Sequence, residues 1–213
     1  MSLASRSATD DRPLLAARPV SVLLWDADGV LQHPRHEWAP RLAAWGGDGF
    51  AEALFASEIP ALRGETPFRE ALGQLLTRWP EVTAGVDDLL DLWEQVDPDP
   101  DAVRLVGEVA ASGVRCVLAT NQQDHRKAFL RERFGYDDVF EQSFYSCDLG
   151  AMKPEPAYFE RVLESLSVDP TDVGFVDDRL DNVETARALG IRAVHHDPLS
   201  GVVGLRSALG WSS

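Results

Sequence analysis

Residues 20–31, Val-Ser-Val-Leu-Leu-Trp-Asp-Ala-Asp-Gly-Val-Leu, drive an apolar run straight into two carboxylates. Val20, Val22, Leu23, Leu24 and Trp25 have the β-branched and bulky character of a parallel strand buried on both faces. Asp26 and Asp28 follow with one small residue between them, and Gly29 then frees the backbone to turn. Two acids at the end of a buried strand cost free energy unless they are paired, and a divalent cation suits them as a partner. In open α/β sheets ligands bind beyond the carboxyl ends of the strands, where this pair falls. Taken alone, the stretch also fits a strand closed by an ordinary Asp-Gly turn.

The rest of the chain has to supply the sheet that would bury such a strand. Residues 33–97 carry helical spacing and no convincing strand. Leu42, Ala43 and Trp45, then Phe50, Ala53 and Leu54, suggest two short helices broken at Gly46-Gly47. Phe68, Leu72, Leu75, Leu76 and Trp79 form a third stripe, and Leu89, Leu90, Trp93 and Val96 a fourth. Asp97-Pro98-Asp99-Pro100 marks a boundary, because each residue before a proline is pushed away from helix. Beyond it the pattern alternates. Helices are expected near 100–112, 123–134, 155–167 and 180–189, strands over 114–119, 173–176 and 191–195, and a short apolar stretch near 143–147. Strands alternating with helices indicate right-handed βαβ units on a parallel sheet. The expected architecture is therefore α/β: a Rossmann-like core formed by 19–32 and 98–213, a small α-helical insertion over 33–97, and a loose tail over 1–18.

Charge and cysteines bound the function. The chain of 213 residues has a net charge of -15, so it offers no basic footprint for nucleic acid or an anionic membrane. No stretch approaches the apolar length of a membrane span. Its two cysteines, Cys116 and Cys147, lack metal-ligand spacing, which fits a reduced, cytoplasmic setting. Oligomeric state is not legible.

Three further strand ends carry polar groups: Thr120-Asn121, Lys153 ahead of a helix, and Asp177-Asp178 with Asn182 beyond. On a parallel sheet these ends converge with Asp26 and Asp28 on one crevice. The inventory suits phosphoryl transfer. A carboxylate can attack phosphorus, a divalent metal and a lysine can offset the anionic crowding, a hydroxyl can hold phosphoryl oxygens, and a second carboxylate can shuttle protons.

Asp26-Ala27-Asp28-Gly29-Val30-Leu31, Thr120-Asn121, Lys153-Pro154 and Asp177-Asp178 with Asn182 resemble, in order, the four motifs of the haloacid dehalogenase-like hydrolase superfamily. The resemblance covers essentially the whole chain after residue 18. It implies Asp26 as nucleophile, Asp28 as general acid/base, and Thr120, Asn121 and Lys153 as phosphate binders. It also implies Mg²⁺ held by Asp26, Asp178, the backbone carbonyl of Asp28 and, directly or through an intermediary, Asp177. Asn182 stands where many members carry an acid and would act from behind the metal ligands. Residues 33–97 resemble the family's small helical cap. Within the family Asp28 points to a phosphatase or phosphomutase, and the fourth motif followed by Asn182-Val183-Glu184-Thr185-Ala186 looks like the branch that includes small sugar-phosphate phosphatases, which implies a small phosphorylated metabolite as substrate. A phosphomutase of the β-phosphoglucomutase type would use the same core residues. A phosphonate hydrolase would need a cap lysine, and 33–97 contain none. A phospho-accepting signalling module uses similar groups, but its adjacent acidic pair comes first in the chain rather than last.

Overall fold

The computed structural model of the chain describes residues 13–15 and 20–211. Its centre is β1 (Val22–Trp25), buried along its whole length. The chain then passes through β2 (Gln32–Pro34), four helices, α1 (Trp38–Gly46), α2 (Phe50–Leu62), α3 (Phe68–Arg78) and α4 (Val86–Trp93), and β3 (Val96–Pro98). From there it alternates: α5 (Pro100–Ala111), β4 (Arg115–Thr120), α6 (Asp124–Phe134), α7 (Tyr136–Val139), β5 (Gln142–Tyr145), α8 (Ser146–Leu149), α9 (Pro156–Leu166), β6 (Val173–Asp177), α10 (Leu180–Ala188), β7 (Arg192–His195) and α11 (Gly201–Leu209).

Five strands form one parallel sheet in the order β5-β4-β1-β6-β7. The strand period of two splits β1 between two cores. Leu23 and Trp25 join the cluster under α5 and α11 with Val106, Val109, Leu205 and Leu209. Val22 and Leu24 join Tyr158, Phe159, Val162 and Phe175 under α9 and α10. Both faces are thus covered by helices, as an all-parallel sheet requires.

The register aligns the chemistry. Trp25 lies opposite Leu118 and Val176. The next position on each strand is therefore Asp26, Ala119 and Asp177, three residues at one level on the sheet's carboxyl edge. The strand order reverses beside β1, which opens a crevice there.

The four-helix insert has its own core, with Leu42, Phe50, Leu54, Phe68, Leu72, Leu89 and Trp93 buried together. Against expectation its borders carry strands. β2 and β3 pair antiparallel, with Gln32 opposite Pro98 and Pro34 opposite Val96. Three-residue strands ending in proline show no alternation, so only the pairing reveals them. The insert's two connections to the sheet domain form one ribbon. The insert also bonds to the sheet domain elsewhere. Asp124 Oδ1 accepts from the Phe68 amide at 2.8 Å, Glu94 Oε1 lies 3.0 Å from His125 Nε2, and Arg63 pairs with Glu155.

Two other differences concern the ends. α11 follows the last expected strand, and its glycines and serines diluted the apolar pattern of Leu205 and Leu209, both buried. Leu14, inside the stretch expected to be loose, is also buried, and its amide donates to the Ala208 carbonyl at 3.2 Å. Residues 1–12 and 16–19 of that stretch lie outside the described residues. No helix among the described residues is long and apolar enough to cross a membrane.

Candidate active site

Asp26 leaves β1 with its amide bonded to the Val176 carbonyl at 3.0 Å, so its backbone still belongs to the sheet. The turn that follows is tight: the amides of Val30, Leu31 and Gln32 all donate to the Ala27 carbonyl. Gly29 has φ of 76°, and a Cβ there would lie 2.4 Å from Asp178 Oδ2. The glycine is needed both for its left-handed backbone and for the approach of Asp178.

Lys153 organises the buried charges. It is 2% exposed, and its Nζ donates to Asp26 Oδ1 at 2.8 Å, Asp177 Oδ2 at 2.7 Å and the Ala119 carbonyl at 2.8 Å. An ammonium has three donors, and all three are used. Burial opposes the charge on Lys153, but Asp177 and Asp26 outweigh it and hold the lysine above its ordinary range. Burial, with Asp177 nearby, pushes Asp26 well above the usual carboxylate range despite the lysine. Asp178 is pushed up to about 6, chiefly by burial and then by Asp177. One cation serves three acids, which leaves the cluster short of positive charge.

Among the described residues Asp26, Asp177 and Asp178 form a group whose ligand atoms lie within 4.8 Å of one another. Asp177 is the most engaged. Besides Lys153 it accepts from the Arg179 amide at 2.8 Å and from Asn182 Nδ2 at 2.9 and 3.0 Å. Asn182 is therefore a support of Asp177, at the place the sequence suggested. Hard oxygen donors, a charge deficit and a neighbouring backbone turn suit a small divalent cation.

The carboxylate of Asp28 lies outside the group formed by Asp26, Asp177 and Asp178. It turns from the three acids toward Arg126, with Nη2 at 2.6 Å, and toward Gln122 and Gln32, with Nε2 atoms at 2.8 and 2.9 Å. Tyr136 Oη donates to Gln32 Oε1 at 3.1 Å and braces that contact. Only the backbone carbonyl of Asp28 is left for the role of ligand. Thr120 is fully buried at the end of β4, and its hydroxyl accepts from Gln122 at 3.1 Å. The Asn121 side chain donates to the Lys153 carbonyl and accepts from the Lys153 amide, both at 2.8 Å, so it positions the lysine.

Several site residues escaped the sequence reading. Arg126 is 6% exposed and stands in the first turn of α6, where the helix dipole disfavours a cation. That placement was the available signal, and Asp28 is its compensation. Gln122 and Gln123 adjoin Asn121 as a run of amides past a strand end, a second signal. Glu58 of α2 had none, because only folding of the insert brings it near Arg126 and Asp28. Trp93 Nε1 donates to Glu58 Oε1 at 2.7 Å.

Burial, only partly offset by Arg126, raises Glu58 from its ordinary 4.5 to about 7. The folded state then binds this proton more tightly than the unfolded chain. The stabilising contribution is present below about pH 4.5 and is lost as pH rises through about 7. Glu58→Gln keeps an acceptor for Trp93 and removes that loss. Chemical denaturation should find the variant more stable than the parent by roughly 1–3 kcal/mol at pH 8. The gap should close toward pH 5; a gap that widens there would refute the assignment.

The family model described as haloacid dehalogenase-like hydrolase matches residues 20–190. The chain is 32% identical to a sesquiterpene phosphatase of Aspergillus oryzae over 114 residues, 53% of this chain and 58% of that one. It is 27% identical to a phosphoglycolate phosphatase of Pectobacterium atrosepticum over 191 residues, 81% of this chain and 78% of that one. Its matches span only 58%, 11% and 14% of the length of the first curated relatives. A haloacid dehalogenase-family enzyme of Bacteroides thetaiotaomicron superposes with a TM-score of 0.75 at 20% identity, covering 88% of this chain and 98% of that one. That enzyme has also been solved in complex with magnesium and inorganic phosphate.

Proposed function

Because the chain belongs to the haloacid dehalogenase-like hydrolases, we propose that it is a Mg²⁺-dependent phosphatase of a small phosphorylated metabolite. The observation that carries this reading is the buried cluster in which Lys153 bridges Asp26 and Asp177 while Asp28 is held separately by Arg126 and Gln122. Two acids in one crevice with different partners are suited to two roles. The phosphatases among its relatives and the magnesium complex of its structural neighbour support the same reading.

In this mechanism Asp26 attacks phosphorus, forming an acyl–phosphate bond as the ester P–O bond breaks. Asp28 gives its proton to the departing alkoxide, and then takes one from the water that cleaves the aspartyl-phosphate and releases inorganic phosphate. Arg126, Gln122 and Gln32 keep Asp28 turned toward the leaving group. The Thr120 hydroxyl holds a phosphoryl oxygen, and Lys153, whose three donors already engage Asp26, Asp177 and the Ala119 carbonyl, offsets the negative charge around the phosphoryl group. Asp26, Asp178 and the Asp28 carbonyl would hold Mg²⁺, with Asp177 behind them because Lys153, Asn182 and the Arg179 amide already engage it. The bound cation would supply charge that lowers the repulsion between Asp26 and the phosphoryl group. The helical insert acts as the cap, closing the crevice and excluding water.

The test is phosphate release by the purified full chain from an aryl phosphate and a panel of phosphorylated metabolites, with Mg²⁺ and with a chelator. Turnover on the aryl phosphate that vanishes with the chelator is expected. Absence of Mg²⁺-dependent release from every compound would overturn the reading.

A further inference from the structure

We infer that Glu58 selects the leaving group, so that the site takes phosphate monoesters of neutral, hydroxyl-bearing alcohols and rejects those carrying a carboxylate. This rests on the phosphatase reading and deepens it. The leaving group departs toward Asp28, and Glu58 is the insert carboxylate on which the charges of Arg126 and Asp28 act. A chain of contacts joins the two acids. Arg126 bonds Asp28 at 2.6 Å and lies 5.9 Å from the ring of Trp38. Trp38 packs on Trp93 at 5.1 Å, and Trp93 donates to Glu58 at 2.7 Å. The charges of Arg126 and Asp28 both act on the Glu58 carboxyl, Arg126 the more strongly.

Trp93 fixes Glu58 but leaves it lone pairs to accept from a substrate hydroxyl. A carboxylate brought to the same place meets Glu58 and Asp28 together. No cation of the insert is bonded to Glu58 to receive it. The insert contains five arginines and no lysine. Arg35 bonds Asp97, Arg41 bonds Gln95, Arg63 pairs with Glu155 and Arg69 with Asp87. Arg78 lines a groove between α2 and α3 with Gln74 and Trp79. Arg126 already holds Asp28. Specificity of this kind comes from a repulsive element as much as an attractive one.

The experiment compares kcat/KM of the full chain with Mg²⁺ at pH 8 for glycerol phosphate, phosphoglycolate and p-nitrophenyl phosphate. Glycerol phosphate should exceed phosphoglycolate by roughly tenfold or more, the scale of one unfavourable charge contact. Glu58→Gln should bring the two within about threefold by raising phosphoglycolate, and Glu58→Arg should reverse their order. The aryl phosphate controls for folding and for the chemistry. Turnover of the aryl phosphate with phosphoglycolate equal or preferred would overturn the inference alone, as would a Glu58→Gln ratio unchanged from the parent. No turnover of any compound would remove the phosphatase reading, and this inference with it.

Discussion

Asp26→Asn should abolish turnover while leaving the protein folded. Asn keeps an oxygen to accept from Lys153, so the contact that now measures 2.8 Å survives. It removes the attacking carboxylate and one of the oxygens grouped with Asp177 and Asp178. Loss of a covalent nucleophile is expected to lower kcat by roughly 10³-fold or more, because no neighbouring group takes over bond formation. Stability should not fall with it. Asp26 is a buried acid whose charge is opposed by burial and by Asp177, so a neutral isostere relieves repulsion. Rapid-quench measurements with radiolabelled substrate, alongside thermal unfolding, separate the two effects. The parent should show acid-stable label on the protein, the variant none, with the melting temperature held or raised. A variant keeping more than a tenth of parental turnover would exclude Asp26 as nucleophile.

Lys153→Met should be costly in both stability and rate. Methionine matches the lysine stem in length, so the apolar packing against Phe175, now 5.2 Å from the ammonium, is largely kept. What disappears is the sole bridge between two buried acids. Removing one partner of a buried ion pair costs about 3–5 kcal/mol because the other charge is left uncompensated. For a domain of this size that is roughly a 6–20 °C fall in melting temperature. Turnover should drop by roughly 10²–10³-fold as the charge beside the phosphoryl group is lost. Added Mg²⁺ should recover part of the melting temperature, since the cation supplies charge to the same acids. Lys153→Arg is the control for charge without shape: the guanidinium cannot place three donors from one nitrogen on Asp26, Asp177 and the Ala119 carbonyl. A Lys153→Met protein with parental stability would mean that Asp26 and Asp177 do not share their charge through this residue.

The parallel sheet and the acids on its edge were legible in the sequence because both are local signals. A strand buried on two faces must be apolar throughout, and acids, a threonine and a lysine at the ends of such runs have few structural uses. Converging strand ends then follow from the handedness of βαβ units, so Asp26, Asp28, Thr120, Lys153, Asp177 and Asp178 could be named before any coordinate. What each carboxylate does was decided by tertiary structure. Asp28 turns to Arg126, Gln122 and Gln32, which lie four to 98 positions away, and Asn121 turns back to the Lys153 backbone. Neither orientation is written in a spacing. The β2–β3 ribbon was hidden for the same reason: six residues with two prolines have no periodicity, and their order comes from each other. Glu58 is the extreme case. It sits on a helix of ordinary composition, and its importance comes from the docking of the insert, which brings a carboxylate from one folding unit against a charged pair in another.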